Sequence, residues 1–421
     1  MLLQEKLDLS KRDEFLKEMT EDVAALILED NYHQTLILSL MERSAIEDLD
    51  MYQSLICHLE KDPFIPLDKA VEYLPSDEEF NRRRTFKQGL TRPELSILLA
   101  YSKNGLYRHL LSSMSKDDWN FDGSDKYLKR YFPSLIQEKF EEEIMQHPLR
   151  KEITATVMSN EIMNRMGPSF LLEVSQISNA EINDVVQAYF HIVEIFGLNS
   201  FWRELEQLES KIEAKEQYEI FTELMQTIRQ LTLIFLRHKN LIKDENRQDY
   251  LVHNIKNLLA AFHGHAESYS RHQHIRVKVK HLSSHTLDLL HFLPMMLELV
   301  CHHMYLQEKE DLANLIGAFF EAYTHLSLSL FNELDSHINT SSEWQRITKA
   351  GLCDELIQAQ ANLAWHIYKA GGFNLWSEEN AHSLLQYNEL VLLIQASMNG
   401  ATKPDLGLLT HSTHFLRQMA H

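Results

Sequence analysis

Glycine and proline are scarce in this chain, at 12 and 9 of 421 residues, where average usage is about 7% and about 5%. Strand-rich and α/β folds need both at turns and phosphate loops, whereas long helices exclude them. The shortage therefore predicts an all-α fold. The only adjacent glycines are Gly371-Gly372, and neither G-x-G-x-x-G nor a P-loop occurs. A dinucleotide site needs glycines where the backbone meets the pyrophosphate, so no NAD site of the Rossmann kind is expected. Cysteine is equally sparse. Cys57, Cys301 and Cys353 are odd in number and far apart, which excludes a disulfide framework and suits a reducing cytosol. No run approaches the ~18 apolar residues of a membrane helix. The first turns carry Glu5, Lys6 and Asp8 rather than a signal-peptide core, and the expected location is cytoplasmic, with no membrane partner. Basic residues are outnumbered 41 to 61, for a net charge of −20. That balance repels phosphate backbones and excludes nucleic acid as an expected partner. The one basic run, Arg271–Lys280 (RHQHIRVKVK), reads as a solvated or partner-facing face.

What is present is helical. Val23, Leu26 and Ile27 begin an apolar stripe, and Pro63 and Pro66 mark a connector. Leu67–Leu74 reads as a short helix stopped by Pro75. Ser76 with Glu79, Thr91 with Glu94, and Ser178 with Glu181 have the spacing of capped helix starts. The run Arg82-Arg83-Arg84 reads as a solvated helix end. Asn104-Gly105 reads as a break, and residues 115–127 as a loop. A helix from about Arg150 to Met166 ends at Gly167-Pro168. Ile182, Val185, Val186, Tyr189, Val193 and Phe196 keep the 3.6-residue period up to Gly197, and Phe221, Leu224, Met225, Ile228, Leu231 and Phe235 repeat it. The polar stretch His238–Asp249 is the best boundary, dividing helical parts 1–240 and 241–421. Further helices are expected over Leu287–Met304, Asp311–Leu334, Trp344–Ala370 and Ser377–Met398. The last ~20 residues are thin in apolar periodicity and are expected to be mobile.

Chemistry is harder to find. Ten of the 23 histidines fall between His253 and His303. His281 and His285 have the spacing of a zinc-binding helix face, but no glutamate follows His281 as the H-E-x-x-H pattern requires. Glu379–His382 is a single Glu-x-x-His where a di-iron bundle needs two. No metal site is expected, and surface or helix-end histidines are the simpler reading. No catalytic nucleophile or base is identified. Thr156, Asn160 and Asn164, at i, i+4 and i+8, draw a polar line along an otherwise apolar helix. With Arg165 they read either as a seam against another domain or as an internal polar network. Trp202, Trp344, Trp365 and Trp376 read as helix-packing residues.

Several words in the chain carry more than helix physics. GLTRPELSILLAYSK (Gly89–Lys103), LKRYFPSLIQEKF (Leu128–Phe140) and HPLRKEITATVMSNEIMNRMG (His147–Gly167) resemble the C-terminal part of the large bacterial NAD-specific glutamate dehydrogenases. MTEDVAALILEDNYHQT (Met19–Thr35), EYLPSDEEFNRR (Glu72–Arg83), GLNSFWRELEQL (Gly197–Leu208), LRHKN (Leu236–Asn240) and the weaker EWQRITKAGLCDEL (Glu343–Leu356) keep the same order. The resemblance covers about residues 10–370, strong to 240 and weaker beyond. It implies a non-catalytic helical region of an enzyme that converts L-glutamate and NAD to 2-oxoglutarate and ammonia. In that family a Rossmann domain with a catalytic lysine does the chemistry. No such residue has a counterpart here, so NAD would sit on a catalytic glutamate dehydrogenase partner chain. Met1 falls near where the family's catalytic domain would end, which fits a split enzyme or a truncated remnant. Arg92, Asn160, Asn164 and Arg165 are the candidate partner contacts, and a homo-oligomer is compatible with this reading. The alternative is a stand-alone helical scaffold without dehydrogenase activity.

Overall fold

The computed structural model describes residues 12–115, 124–209, 211–242, 249–255, 257, 292–301, 304, 312–338, 340, 342–400 and 402–420. Among the described residues every regular element is a helix. The chain divides into two compact units, Met1–Leu172 and Glu173–His421. The polar stretch near residue 240 thus lies inside the second unit. The helix preceding it keeps company with later elements, because Arg237 pairs with Glu298 and Asp354.

In the first unit, α1 (Arg12–Ser44) is followed by α2 (Leu49–Leu59), α3 (Asp77–Phe86) and α4 (Arg92–Ser115). Then come α5 (Ser124–Arg130), α6 (Ser134–Lys139), α7 (Glu141–Met145) and α8 (Arg150–Met166). Helix α4 packs along α8, and α1 crosses both. Leu36, Ile37, Leu40 and Met41 of α1 meet this core together with Leu95, Leu98 and Leu110 of α4, all buried. Each such side chain contributes about 1.5–3 kcal/mol of transfer free energy. Helix α8 has the bounds read from the sequence, with Gly167 at φ +78° ending it.

Three local expectations fail here for identifiable reasons. Residues 67–74 make turns rather than a helix. The Asp68 carboxylate accepts from the Ala70 and Val71 N–H groups, and Tyr73 takes φ +54°. Asn104-Gly105 does not interrupt α4, whose buried Leu98, Leu99, Leu106 and Leu110 run straight through it; packing outweighs the modest helical cost of glycine. The arginine run is only partly solvated. Arg83 lies 13% exposed against Glu94, which is 12% exposed.

The start of α4 departs from the expected cap in an instructive way. Glu94 Oε2 accepts from the Thr91 N–H at 2.7 Å and from its hydroxyl at 2.9 Å. Arg83 adds a two-pronged bond to the same carboxylate at 2.7 and 2.8 Å. Burial pushes the Glu94 pKa up, but Arg83 and Thr91 prevail and hold it below the ordinary value. Just before this start, Gly89 lies against α1's end. A Cβ there would come within 2.6 Å of the Ala45 carbonyl carbon and Cβ.

The second unit is built from α9 (Phe170–Ser178, which straddles the division), α10 (Ile182–Ile195), α11 (Leu198–Glu206) and α12 (Ala214–Arg237). After these come α13 (292–301), α14 (Leu312–His325), α15 (Ser329–His337) and α16 (Glu343–Lys369). The last are α17 (Phe373–Glu379), α18 (Ala381–Met398) and α19 (Leu406–Met419). Helix α10 packs on α12 through the periodic residues noted above, and α16 lies against α14 and α19. Ser178 does not cap α10. Its hydroxyl donates back to Val174 O at 2.6 Å, and Glu181 sits at the helix start without a side-chain bond. The helix expected over 311–334 breaks where Ser327 takes φ +50°. The last residues form a helix, opened by Asp405 accepting from the Leu408 N–H at 2.9 Å. Trp202 stacks on Phe221 with ring centroids 5.3 Å apart, and Trp365 and Trp376 are buried. Trp344 departs from the packing role, at 75% exposure.

Candidate functional site

A cleft of about 720 Å³ opens in the first unit between α1, α8 and the stretch from Arg130 to Gln137. Val157, Asn160, Glu161, Asn164 and Arg165 line one wall. Their spacing of three and four places them on one helical face. Thr156, the first of the sequence-predicted polar line, turns away. Its hydroxyl donates to Glu152 O at 2.8 Å, within its own helix.

Two buried polar clusters form the floor. In the first, Asn164 is 6% exposed and donates from Nδ2 to Asp30 Oδ1 at 2.9 Å. The other Asp30 oxygen accepts from Gln34 at 2.7 Å. Lys103 lies near this carboxylate. Burial lowers its pKa, and the Asp30 charge opposes that shift. Asn164 Oδ1 is buried and has no hydrogen-bond partner among the described residues. In the second cluster, the Glu161 side chain is 2% exposed and lies between two arginines. One oxygen accepts from Arg130, the other from Arg165 at 3.4 Å. Burial works against the Arg130 charge, but the Glu161 carboxylate outweighs it and holds the guanidinium above its ordinary pKa. Arg165 is buried, whereas 45% of the Arg130 side chain is exposed, so one positive group faces the opening.

The rim is apolar and open. On α1, Val23, Leu26 and Ile27 line it and are 39%, 36% and 56% exposed. Across the cleft stand Tyr131, Phe132 and Pro133. Contiguous exposed apolar surface with a polar border marks sites of association. Directed donors and acceptors below an apolar lip suit the capture of a protein segment. Two of the cleft's carboxylates, Asp30 and Glu161, are held by amide and guanidinium partners.

The sequence-predicted residues separate into two groups. Asn160, Asn164 and Arg165 share the cleft wall. Arg92 stands apart from it, at the start of α4. It donates to Glu42 at 3.0 Å, Ser39 Oγ at 3.2 Å and Thr35 O at 3.2 Å, tying α4 to α1. Asp30, Arg130 and Glu161 were not singled out from sequence. Only Glu161 left a signal there, as the acidic residue four positions before Arg165 on α8. Among the described residues no group of three or more His, Cys, Asp or Glu side chains is placed to hold a metal ion. The histidine-rich segment lies mostly outside the described residues, as does the basic run Arg271–Lys280. The three cysteines are free thiols, Cys57 exposed and Cys301 buried. No helix among the described residues is long and apolar enough to cross a membrane.

Residues 87–401 match the family model described as "Glutamate dehydrogenase, C-terminal". Among curated proteins, the chain is 34% identical over 240 residues to an NAD-specific glutamate dehydrogenase of Halomonas elongata. That alignment covers 57% of this chain and 15% of the enzyme. It is 38% identical over 229 residues to the Pseudomonas aeruginosa NAD-specific glutamate dehydrogenase, covering 54% of this chain and 14% of that one. A third, from Mycobacterium tuberculosis, is 31% identical over 195 residues, or 46% and 12% of the two chains. The chain thus aligns with only a small fraction of the length of the relatives it matches.

Proposed function

Because the chain belongs to the family of glutamate dehydrogenase C-terminal regions, we propose that it is the non-catalytic helical region of an NAD-dependent glutamate dehydrogenase, supporting or regulating a catalytic part on another chain. The catalytic part binds NAD and oxidises L-glutamate to 2-oxoglutarate and ammonia, in the cytoplasm. This chain contributes the surface on which that part is seated. Asn160, Asn164 and Arg165 face the partner across the cleft, and Arg92 acts from behind by holding α1 in place.

The observation that carries this reading is the cleft itself. Its lining is drawn from Met19–Thr35, Leu128–Phe140 and His147–Gly167, three of the words that resemble the enzyme family. Val23, Leu26 and Ile27 are exposed along this lip, an arrangement that has a clear use beneath a partner.

The test is capture of partners from the native cytosol on the full chain, with NAD-dependent glutamate oxidation assayed on the eluate and on the purified chain. The expected result is activity in the eluate alone, carried by a co-purified dinucleotide-binding chain. Ile27→Asp, at a position 56% exposed, should abolish that capture while leaving the melting temperature within about 2 °C of the parent. No dehydrogenase in the eluate would favour the stand-alone scaffold. Capture undiminished by Ile27→Asp would move the interface elsewhere.

A further inference from the structure

We propose that the outer face of α18 (Ala381–Met398) is the seat of a second copy of this chain, with the two helices antiparallel across a twofold axis. One side of α18 is used within its own unit. Tyr387, Leu390 and Ile394 are buried there, where α18 packs against α15, α17 and α19. The other side carries Leu385 and Leu392, 67% and 64% exposed, flanked by Leu393 at 54%. At 3.6 residues per turn, Leu385 and Leu392 stand opposite the buried row. A helix that is apolar on both sides is ordinarily covered on both.

Two observations make the occupant a second copy. The first is charge. From Asn380 to Thr402, Glu389 is the only aspartate, glutamate, lysine or arginine, in a chain with 24% charged residues and a net charge of −20. Two such chains repel over most of their surface and can meet where charge is least. Depletion of charge is also the mark of an interface centre. A lipid surface is disfavoured, because helices that lie on membranes present lysine and arginine, and α18 has neither. The second observation is order. A twofold axis lays a patch onto itself, so the face must complement its own reverse. Read outwards from between Asn388 and Glu389, the outer positions of α18 repeat in both directions. Leu385 answers Leu392, Leu384 answers Leu393, and Ala381 answers Ala396. In an antiparallel pair centred there, leucine meets leucine and the small alanines let the helix ends approach. The Asn388 amide of each copy then stands beside the Glu389 carboxylate of the other, so the one charge gains a donor. An axis through Glu389 itself would set the two carboxylates against each other, which fixes the register.

A single pair of 18-residue helices, each about 27 Å long, falls in the class below about 1,200 Å² that holds weak associations. Sedimentation equilibrium of the full chain from about 5 to 500 µM should therefore give a monomer–dimer equilibrium with a Kd of about 10–100 µM. Leu392→Asp, which the axis places in the interface twice, should raise that Kd by more than about 50-fold and leave the melting temperature within about 2 °C of the parent. Oxidative cross-linking reads the register, in a Cys57→Ser background that removes the exposed native thiol, and serves also if the Leu392→Asp protein does not fold. Leu385→Cys mixed with Leu392→Cys should form a disulfide dimer. Neither should do so alone, because the axis sets like positions about 10 Å apart along the helices, beyond the ~7 Å Cα limit of a disulfide. A monomer at about 500 µM, a dimer indifferent to Leu392→Asp, or either cysteine variant linking to itself as readily as to the other overturns the proposal. The dimer does not rest on the partner reading above. Ile27→Asp should leave it unchanged, and failure to capture a dehydrogenase would leave it standing.

Discussion

Gly89→Ala should be among the most damaging single-methyl additions in this protein. The new Cβ would stand 2.6 Å from the Ala45 carbonyl carbon, 2.6 Å from its Cβ and 2.7 Å from its oxygen. Ordinary carbon–carbon contact is about 3.5–4.0 Å, so the end of α1 and the strand of chain before α4 must part by about 1 Å. The obstacle is mostly backbone, which cannot swing aside as a long side chain would. Parting also strains the bond from Arg83 to Gly89 O at 3.2 Å. Overpacking of this kind costs typically about 1–3 kcal/mol, and the rigid neighbour places the value near about 3. For a unit of this size the melting temperature falls by about 6–12 °C. Gly351→Ala supplies the control, because nothing lies within 4 Å of a Cβ built at that position inside α16. It should stabilise by about 0.5–1 kcal/mol, the helical advantage of alanine over glycine. Urea unfolding followed by circular dichroism gives both values, and hydrogen exchange assigns each change to its unit. A Gly89→Ala protein within about 0.5 kcal/mol of the parent would refute the close approach.

Two further outcomes follow from the charges of the first unit. Glu161→Ala should destabilise α8 by about 3 kcal/mol, because Arg165 keeps its charge in a buried place. The double change to Glu161→Met and Arg165→Met should cost under about 1 kcal/mol; hydrogen exchange along α8 reads both, and equal losses would refute the account. Glu79 is held at about 2, against an ordinary 4.5, by hydrogen bonds from Arg82 and then Arg83. Its depressed pKa adds stability that is complete above 4.5 and is lost as pH falls towards about 2. A carbon-detected NMR titration of Glu79 should show that midpoint, and one near 4.5 would show that the arginines stand off in solution.

How far the sequence reveals this architecture depends on which residues do the work. The end of helix α8 was readable because Gly167-Pro168 leaves no other option. Helix α12 was readable because its buried positions are large and periodic. Helix α19 was not, since two of its buried positions are Ser412 and Thr413. Their hydroxyls return to Leu408 O and Leu409 O at 2.7 and 2.9 Å, so polar letters fill apolar places. The break at Ser327 uses neither glycine nor proline, and so it left no mark. In the cleft, Asn164 stood out as an amide on an apolar helix. Its partner Asp30 is 134 residues away, and one sequence holds no trace of that pairing. The stripe from Val23 to Leu28 has the same period whether it faces a core or solvent. Only the fold tells which.

The shared carboxylate of Glu94 has a mechanical consequence. A turn between helices is ordinarily where a protein bends, yet here one side chain is bonded at once to the start of α4 and, through Arg83, to the end of α3. The joint has no slack. Force applied along α3 would pass into α4 as through a bracket, and the pair would swing as a rigid lever about some point outside residues 83–94. Any displacement delivered to α3 would therefore be carried into α4, and so to α8, along which α4 packs.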